Sequence, residues 1–192
     1  PFGENWPVAL PGRPAVTPSV GDVDGDGQME IVAFTTQAQF VFELDGAVVD
    51  GWPIDDTATK FSYQSPILRD LDNSGKLQII GATHGDAPEY YIRNADGSYY
   101  SNWPLPVPEN SWTFSSPAVI QQNGEYTILM SRPIIEEVTD MLYAWDKDGN
   151  LREGFPIIKS GGLEGPIIVA DLDGDEEVEL LFGSNLFDGE SE

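Results

Sequence analysis

The chain contains no cysteine, so no disulfide clamps it and no thiolate can hold a metal or attack a substrate. A cysteine-free sequence fits a bacterial secreted protein or a cytosolic one better than a vertebrate extracellular domain, where disulfides are common. No Asn-x-Ser/Thr sequon occurs either. His84 is the single histidine, which leaves zinc short of ligands and nucleophilic catalysis little to build with. Cations are scarce: 9 Lys and Arg stand against 33 Asp and Glu, a net charge of −24. A surface of that sign repels nucleic-acid phosphates and anionic membranes alike. There is no run of about 18 apolar residues, so no segment reads as a membrane-spanning helix. No signal peptide is visible, and the start at Pro1 reads as a mature product or an excised piece.

What the sequence does have is a core and a repeat. Hydrophobic residues make up 40% and aromatics 11%, enough to bury an interior rather than leave an acidic tail disordered. One acidic phrase recurs: Asp22-Val-Asp-Gly-Asp-Gly-Gln-Met-Glu30, Asp70-Leu-Asp-Asn-Ser-Gly-Lys-Leu-Gln78 and Asp171-Leu-Asp-Gly-Asp-Glu-Glu-Val-Glu179. Each runs straight into an apolar stretch beginning at Ile31, Ile79 or Leu180. A second marker keeps the same period. Trp6-Pro7, Trp52-Pro53, Trp103-Pro104 and Phe155-Pro156 recur about every fifty residues, the last three preceded by Asp45-Gly46, Asp96-Gly97 and Asp148-Gly149. Asp-Gly between apolar runs is a hairpin signal, both turn positions tolerating positive φ.

Between the markers lie short segments rich in Val, Ile, Tyr and Phe, which predict strands near 19–21, 30–35, 39–44 and 47–49 and again near 67–69, 77–82, 90–94 and 98–100. The last unit predicts strands at 167–170 and 178–183, and no segment reads as a helix. The fold class is therefore all-β. A unit of about fifty residues with four antiparallel strands has the size of a propeller blade. A β-sandwich also has short, regular strands, but it does not require one phrase at one phase in every unit. The repeats fall at about 1–53, 54–104, 105–156 and 157–192 within a single domain. Seven blades would need about 350 residues, so these units predict an arc of a larger propeller, a closed ring of four being the alternative. Such an arc exposes two blade faces that further blades or partners would cover.

The acidic phrase has the layout of a calcium loop. Calcium takes about six to eight oxygen ligands. Carboxylates at positions 1, 3 and 5, a carbonyl at 7 and an acid at 9 can converge on one point. Asp22, Asp24, Asp26, the carbonyl of Gln28 and Glu30 fit this pattern, with Gly25 and Gly27 allowing the curl. Asp171, Asp173, Asp175, the carbonyl of Glu177 and Glu179 fit too, although Glu176 stands where the other loops have glycine, a position of expected strain. The loop of Asp70, Asp72, Ser74, the Lys76 carbonyl and Gln78 is the poorest, with a neutral hydroxyl at 5 and an amide at 9. The order of fit is loop one, loop four, loop two. The third unit keeps its strands after Ser116-Pro117 but reads Gln121-Gln-Asn-Gly-Glu125 in place of the phrase, a plain tight turn. Magnesium prefers strict octahedral geometry and keeps its waters. An EF-hand needs a Glu at position 12, which here is Ala33.

With these residues in view, the phrase followed by an apolar strand resembles the FG-GAP/VCBS repeats of integrin-α-like β-propellers, and the Asp-Gly…Gly-Trp-Pro ending resembles the version in large secreted bacterial proteins. The resemblance implies calcium held in loops between the first two strands of a blade. The family usually has Asp at position 9, so Glu30 and Glu179 are conservative departures and Gln78 is not. It further implies a non-catalytic binding or adhesion module, secreted or at a bacterial cell surface, with a protein or glycan ligand. Tyr90, Tyr91, Tyr99, Tyr100, Trp112 and Phe114 are candidates for that contact, about half of them expected to be blade packing because neighbours on a strand point opposite ways. The enzymatic alternative is part of a propeller-type polysaccharide lyase or another secreted hydrolase. A lyase site would need a basic residue near a bound sugar acid, and Lys60, Arg69, Lys76, Arg93 and Arg132 are scattered. A purely structural spacer is the third reading.

Overall fold

A computed structural model describes residues 5–14, 16–55, 63–108, 113, 115–132 and 138–184. Among them are thirteen strands and no helix. Strands β1 (Ser19–Gly21), β2 (Glu30–Phe34) and β3 (Gln39–Glu43) form one antiparallel sheet. A second contains β4 (Ile67–Arg69), β5 (Gln78–Ala82), β6 (Glu89–Arg93) and β7 (Leu105–Pro106). The third contains β8 (Ala118–Gln122), β9 (Glu125–Ser131), β10 (Val138–Trp145) and β11 (Ile157–Ser160), and the fourth pairs β12 (Ile168–Ala170) with β13 (Glu179–Leu181). These are blades of a propeller. Each is a meander in sequence order, and each packs its face on the next.

Register shows how the repeat repeats. Ser19↔Val32, Ile67↔Ile80, Ala118↔Leu129 and Ile168↔Leu181 are equivalent pairs of the two inner strands. Residues in phase with them face the following blade, and those one step away face the preceding one. Val32, Phe34, Val41 and Trp52 of blade one thus meet Ile79 and Tyr91 of blade two. Ile80, Tyr90, Ile92 and Trp103 of blade two meet Ile128, Tyr143 and Trp145 of blade three. Leu129, Leu142 and Ala144 of blade three meet Val169, Leu180 and Phe182 of blade four. Each aliphatic side chain buried this way contributes about 1.5–3 kcal/mol, which makes the inter-blade layers the main store of stability.

Three sequence expectations change. Tyr90 and Tyr91 are both wholly buried, because blade two is covered on both faces and β5 and β6 are buried at every position. Neither can present a ring to a ligand. Tyr99 is also committed: its hydroxyl donates to Glu89 Oε1 at 2.5 Å and its ring lies 4.1 Å from the Arg93 guanidinium carbon. Tyr100 is half-buried against the blade-two/blade-three core. Trp112, Phe114 and Lys60 lie outside the described residues. Second, the outer strand runs on past the aromatic-proline step. Before it lie only single bridges, Phe42↔Val48, Arg93↔Tyr99 and Trp145↔Leu151, and the paired strands β7 and β11 follow it.

Third, the Asp-Gly turns are not two-residue turns of positive φ. Gly46, Gly97 and Gly149 have φ of 92°, 81° and 86°, while each preceding aspartate stays on the ordinary side. Gly46 N donates to Glu43 O and Glu43 N to Ala47 O, with the same pair of bonds in the other two turns. That is a type I turn closed by a glycine bulge. The two-residue turn is found where the acidic phrase is missing: Asn123 and Gly124 have φ of 53° and 79° between paired Gln122 and Glu125.

The aromatic of each aromatic-proline step latches one blade to the next. Trp52 Nε1 donates to Ala95 O at 2.7 Å and Trp103 Nε1 to Lys147 O at 2.9 Å, both just before the Asp-Gly of the following blade. Trp6 Nε1 donates to Leu44 O at 2.8 Å in the same way. All four aromatic-proline peptide bonds are cis.

Candidate metal centres in the blade loops

The acidic phrases are the connections from the first to the second strand of their blades, and they fold by the same internal bonds. The first aspartate accepts from the chain curling round it: Gly25 N and Gly27 N bond to Asp22 at 2.9 and 3.0 Å, and Gly174 N and Glu176 N to Asp171 at 2.6 and 3.0 Å. The third position accepts from the fifth, Asp26 N to Asp24 and Asp175 N to Asp173. The fifth accepts from the seventh, Gln28 N to Asp26 at 2.7 Å and Glu177 N to Asp175 at 2.9 Å. These are nested Asx turns. Asp22 and Asp171 fix their loops through both carboxylate oxygens, whereas Asp24 and Asp173 each accept through Oδ1.

The ninth residue closes the loop onto its second residue. Glu30 Oε2 accepts from Val23 N at 2.5 Å, and Glu179 Oε2 from Leu172 N at 2.7 Å. In loop two Gln78 Oε1 accepts from Leu71 N at 2.7 Å, so the amide keeps the closure and gives up the charge. Asp70 and Asp72 still accept from Ser74 N, and hydrogen bonding to Ser74 holds the Asp72 carboxyl below its usual range. The Lys76 amide donates to Ser74 Oγ at 3.3 Å.

Carboxylate oxygens of Asp22, Asp24 and Glu30 lie within 4.8 Å of one another, and so do those of Asp171, Asp173 and Glu179. Asp26 and Asp175 stand outside those groups; Asp26 also accepts from its neighbour's side chain, Gln28 Nε2, at 2.9 Å. Loop one bears the clearer mark of a cation. Glu30 is fully buried, yet its Oε1 has no hydrogen-bond partner. Burial pushes its pKa up, the Val23 and Asp24 amides pull it down, and the Asp24 and Glu43 charges add to the rise. Glu43 sits directly across the ladder from Glu30, its own pKa raised by burial and by Asp24, Asp26 and Asp45. A buried carboxylate with an orphaned oxygen, facing further carboxylates, is costly unless a cation neutralises it. The donors are all hard oxygens, which suits calcium.

Loop four has the same plan in a more open setting, with Asp171 and Asp173 exposed. The strain expected at Glu176 is present: its φ is 72°, where Gly27 and Gly75 have 90° and 83°. Nothing lies within 4 Å of a Cβ added at either glycine, so the cost at Glu176 is backbone conformation alone. Glu176→Gly is expected to raise stability by about 0.5–1 kcal/mol, the relief of the left-handed conformation less the entropy that glycine adds to the unfolded chain. Urea denaturation of the two proteins with calcium present measures it.

The scattered cations among the described residues, Arg69, Lys76, Arg93 and Arg132, lie in separate local contacts. Arg93 is buried, donating to Gly97 O and Tyr99 Oη. Arg132 is buried against Asp140, which also accepts from Tyr143. Burial and that carboxylate push Tyr143 up to about 12. Arg69 donates to Gln121 at 2.7 Å, and Lys76 packs at Gly25 of loop one. His84 meets the Tyr63 ring edge-on at 4.9 Å, and burial lowers its pKa.

No protein-family model matches the chain, and no curated protein does. Solved structures match in shape. BBS1N, solved in complex with ARL6DN, aligns over 89% of this chain and 60% of its own, with 9% identity and a TM-score of 0.51. That likeness identifies the fold. It is a β-propeller fold. A protein of unknown function from Bacteroides caccae aligns over 86% of this chain and 53% of its own, at 14% identity and a TM-score of 0.48. The V. cholerae biofilm matrix protein Bap1 aligns over 77% and 30%, at 15% identity and a TM-score of 0.33. The chain thus spans about half to three-fifths of the length of the first two. No helix among the described residues is long and apolar enough to cross a membrane.

Proposed function

We propose that this chain is a calcium-held β-propeller module of the FG-GAP/VCBS type that binds a protein or glycan within a larger secreted or cell-surface protein, and that it is not itself a catalyst. The observation that carries the ion is Glu30, fully buried with Oε1 unpartnered beside Asp22 and Asp24. Calcium there would draw on Asp22, Asp24 and Glu30. In loop four it would draw on Asp171, Asp173 and Glu179, and its chemistry in both is charge neutralisation and loop closure.

The binding role is supported by the clefts between blades at the loop end. One of about 390 Å³ is lined by Asp72, Asn73, Tyr126, Asp146, Lys147 and Arg152. Another of about 460 Å³ is lined by Asp24, Asp50, Asp72, Ser74, Lys76 and Asp96. Both linings combine carboxylate acceptors with a few donors, Lys147 and Arg152 in the first and Ser74 and Lys76 in the second, a chemistry that suits a hydroxyl-rich or peptide ligand. The lyase reading has less behind it, since Arg93 and Arg132 are buried in the separate networks described above, and Lys76, Lys147 and Arg152 line clefts crowded with carboxylates that would repel a sugar acid.

Calorimetric titration with calcium is expected to show two sites, and Asp24→Ala to remove one while loop four keeps the other. Loss of all binding in that variant would contradict independent sites, and no binding in the wild type would overturn the ion. A glycan array run with calcium tests the ligand class.

A further inference from the structure

Seven Asp-Gly steps and one Asn-Gly step lie among the described residues. At each the main chain can react with itself, because a glycine nitrogen, unhindered by a side chain, can close a succinimide ring on the side-chain carbonyl before it. In the Asp-Gly steps the fold and the chemistry both oppose this. Gly25 N and Gly27 N are held by Asp22, and Gly174 N by Asp171. Gly46 N, Gly97 N and Gly149 N are held by the main-chain oxygens of Glu43, Asn94 and Asp146. Gly51 is instead clamped against blade two, where an added Cβ would meet Asp96 O at 2.1 Å. A carboxylate, moreover, repels an attacking nitrogen and has no neutral group to lose.

Asn123-Gly124 differs on every count. Its electrophile is a neutral carboxamide with ammonia to lose. Among the described residues neither that carboxamide nor Gly124 N makes a hydrogen bond, and the ladder of β8 and β9 ends at the Gln122↔Glu125 pair. Both residues are exposed, and nothing lies within 4 Å of a Cβ added at Gly124. The rotation that brings Gly124 N to Asn123 Cγ therefore displaces no neighbour. Asn73 shares the left-handed conformation, with a φ of 57°, but the nitrogen after it, Ser74 N, is held by both Asp70 and Asp72.

We infer that Asn123 is a site of spontaneous covalent modification, cyclising onto Gly124 and reopening mainly as isoaspartate, which loosens the β8–β9 hairpin and adds a charge beside the cleft between blades two and three. In the first step Gly124 N bonds to Asn123 Cγ, the bond from Cγ to the amide nitrogen breaks, and that nitrogen leaves as ammonia with the glycine's proton. In the second, one water opens the imide. Cleavage of the new N–Cγ bond gives aspartate. Cleavage at the main-chain carbonyl leaves the chain running through Cβ and Cγ, one carbon longer. A two-residue turn is matched to its strands by its geometry, so the added carbon breaks the Gln122↔Glu125 pairing. The new carboxylate stands beside Glu125, which with Gly124 lines the cleft of about 390 Å³. Neither calcium nor a ligand takes part in this chemistry.

The test is to incubate the full chain for weeks at mildly alkaline pH, which frees the amide nitrogen to attack. Isoaspartate is then located by an isoaspartate-specific methyltransferase and by peptide mass spectrometry. The peptide carrying Asn123 is expected to gain the mass of OH over NH2 and to acquire isoaspartate before any Asp-Gly step does. Asn123→Gly keeps a residue suited to left-handed φ and removes the carboxamide, so it is expected to stay unmethylated over the same period. The modified fraction, separated by ion exchange on its extra charge, is expected to lose hydrogen-exchange protection in β8 and β9. A synthetic peptide spanning Ala118–Ile128 supplies the rate for the unfolded sequence. An Asn123 that survives intact while the peptide converts overturns the inference. So does isoaspartate that appears first at an Asp-Gly step or equally in Asn123→Gly, or a modified fraction whose protection is undiminished.

Discussion

Removing calcium is expected to lower the melting temperature of this protein by about 10–20 °C, taking two sites each filled at about a hundredfold excess over Kd. A ligand bound only by the folded chain at that excess contributes about 2.7 kcal/mol, and two independent sites about 5 kcal/mol. In a chain of this length each kcal/mol moves the melting temperature by about 2–4 °C. The acidic loops add a reason of their own. Without a cation, Glu30 faces Asp24 and Glu43 at close quarters with one oxygen unpaired, so ion loss also restores repulsion that the fold otherwise neutralises. Thermal denaturation in millimolar calcium and in chelator, with magnesium as control, measures the effect. An unchanged melting temperature sinks the calcium reading. Hydrogen exchange locates it: protection is expected to fall in residues 22–30 and 171–179. The hairpin through Asn123 and Gly124, a two-residue turn with its own ladder pairs on both sides, should not respond.

The sequence showed the repeat because the repeated residues have local duties that composition cannot disguise. The aspartates at positions 1 and 3 fold their loops through bonds to amides two to five residues on, and such bonds need an Asx side chain at a fixed offset. Glu176 was legible as a misfit for the same reason, since left-handed φ is a property of one residue and its neighbours. The tyrosines were harder. Alternation along a strand predicts one buried and one open face, but Tyr90 and Tyr91 are both buried, because blade two has a neighbour on each side. That is a relation between units, invisible in a strand taken alone. The unpartnered Oε1 of Glu30 was hidden likewise: its burial depends on the ladder to Glu43 and on the blade-one core. The clefts between blades draw residues from two units each, so no spacing rule reaches them. The outer strand was misplaced because the apolar residues at 47–49 and 98–100 make only single bridges, whereas the ladder resumes beyond Pro53, Pro104 and Pro156 at Ile54, Leu105 and Ile157.

Trp103→Ala is expected to be among the most damaging single changes, costing about 3–5 kcal/mol and so about 10 °C or more. Trp103 is 3% exposed in the layer between blades two and three. Its ring stands edge-on to Trp145 at 5.8 Å, and Trp145 in turn stacks on Tyr143 at 5.1 Å. Its Nε1 donates to Lys147 O across the blade boundary. Alanine removes the ring contact, the latch and the volume together, in an interface that cannot collapse because two sheets hold it open. Trp103→Phe separates the parts. It keeps most of the apolar area and loses the latch, at about 1 kcal/mol, and the chain itself carries Phe155 at the corresponding place. Trp6→Ala should cost less than Trp103→Ala, since Trp6 is only half-buried and lies on one blade rather than within a closed interface. Urea denaturation of the three variants, with slopes compared to confirm that the same surface unfolds, tests the order Trp103→Ala, then Trp6→Ala and Trp103→Phe. A Trp103→Ala loss of about 1 kcal/mol or less would mean that the blades stand without their shared layers, and the stability of the domain would then have to lie within the individual sheets.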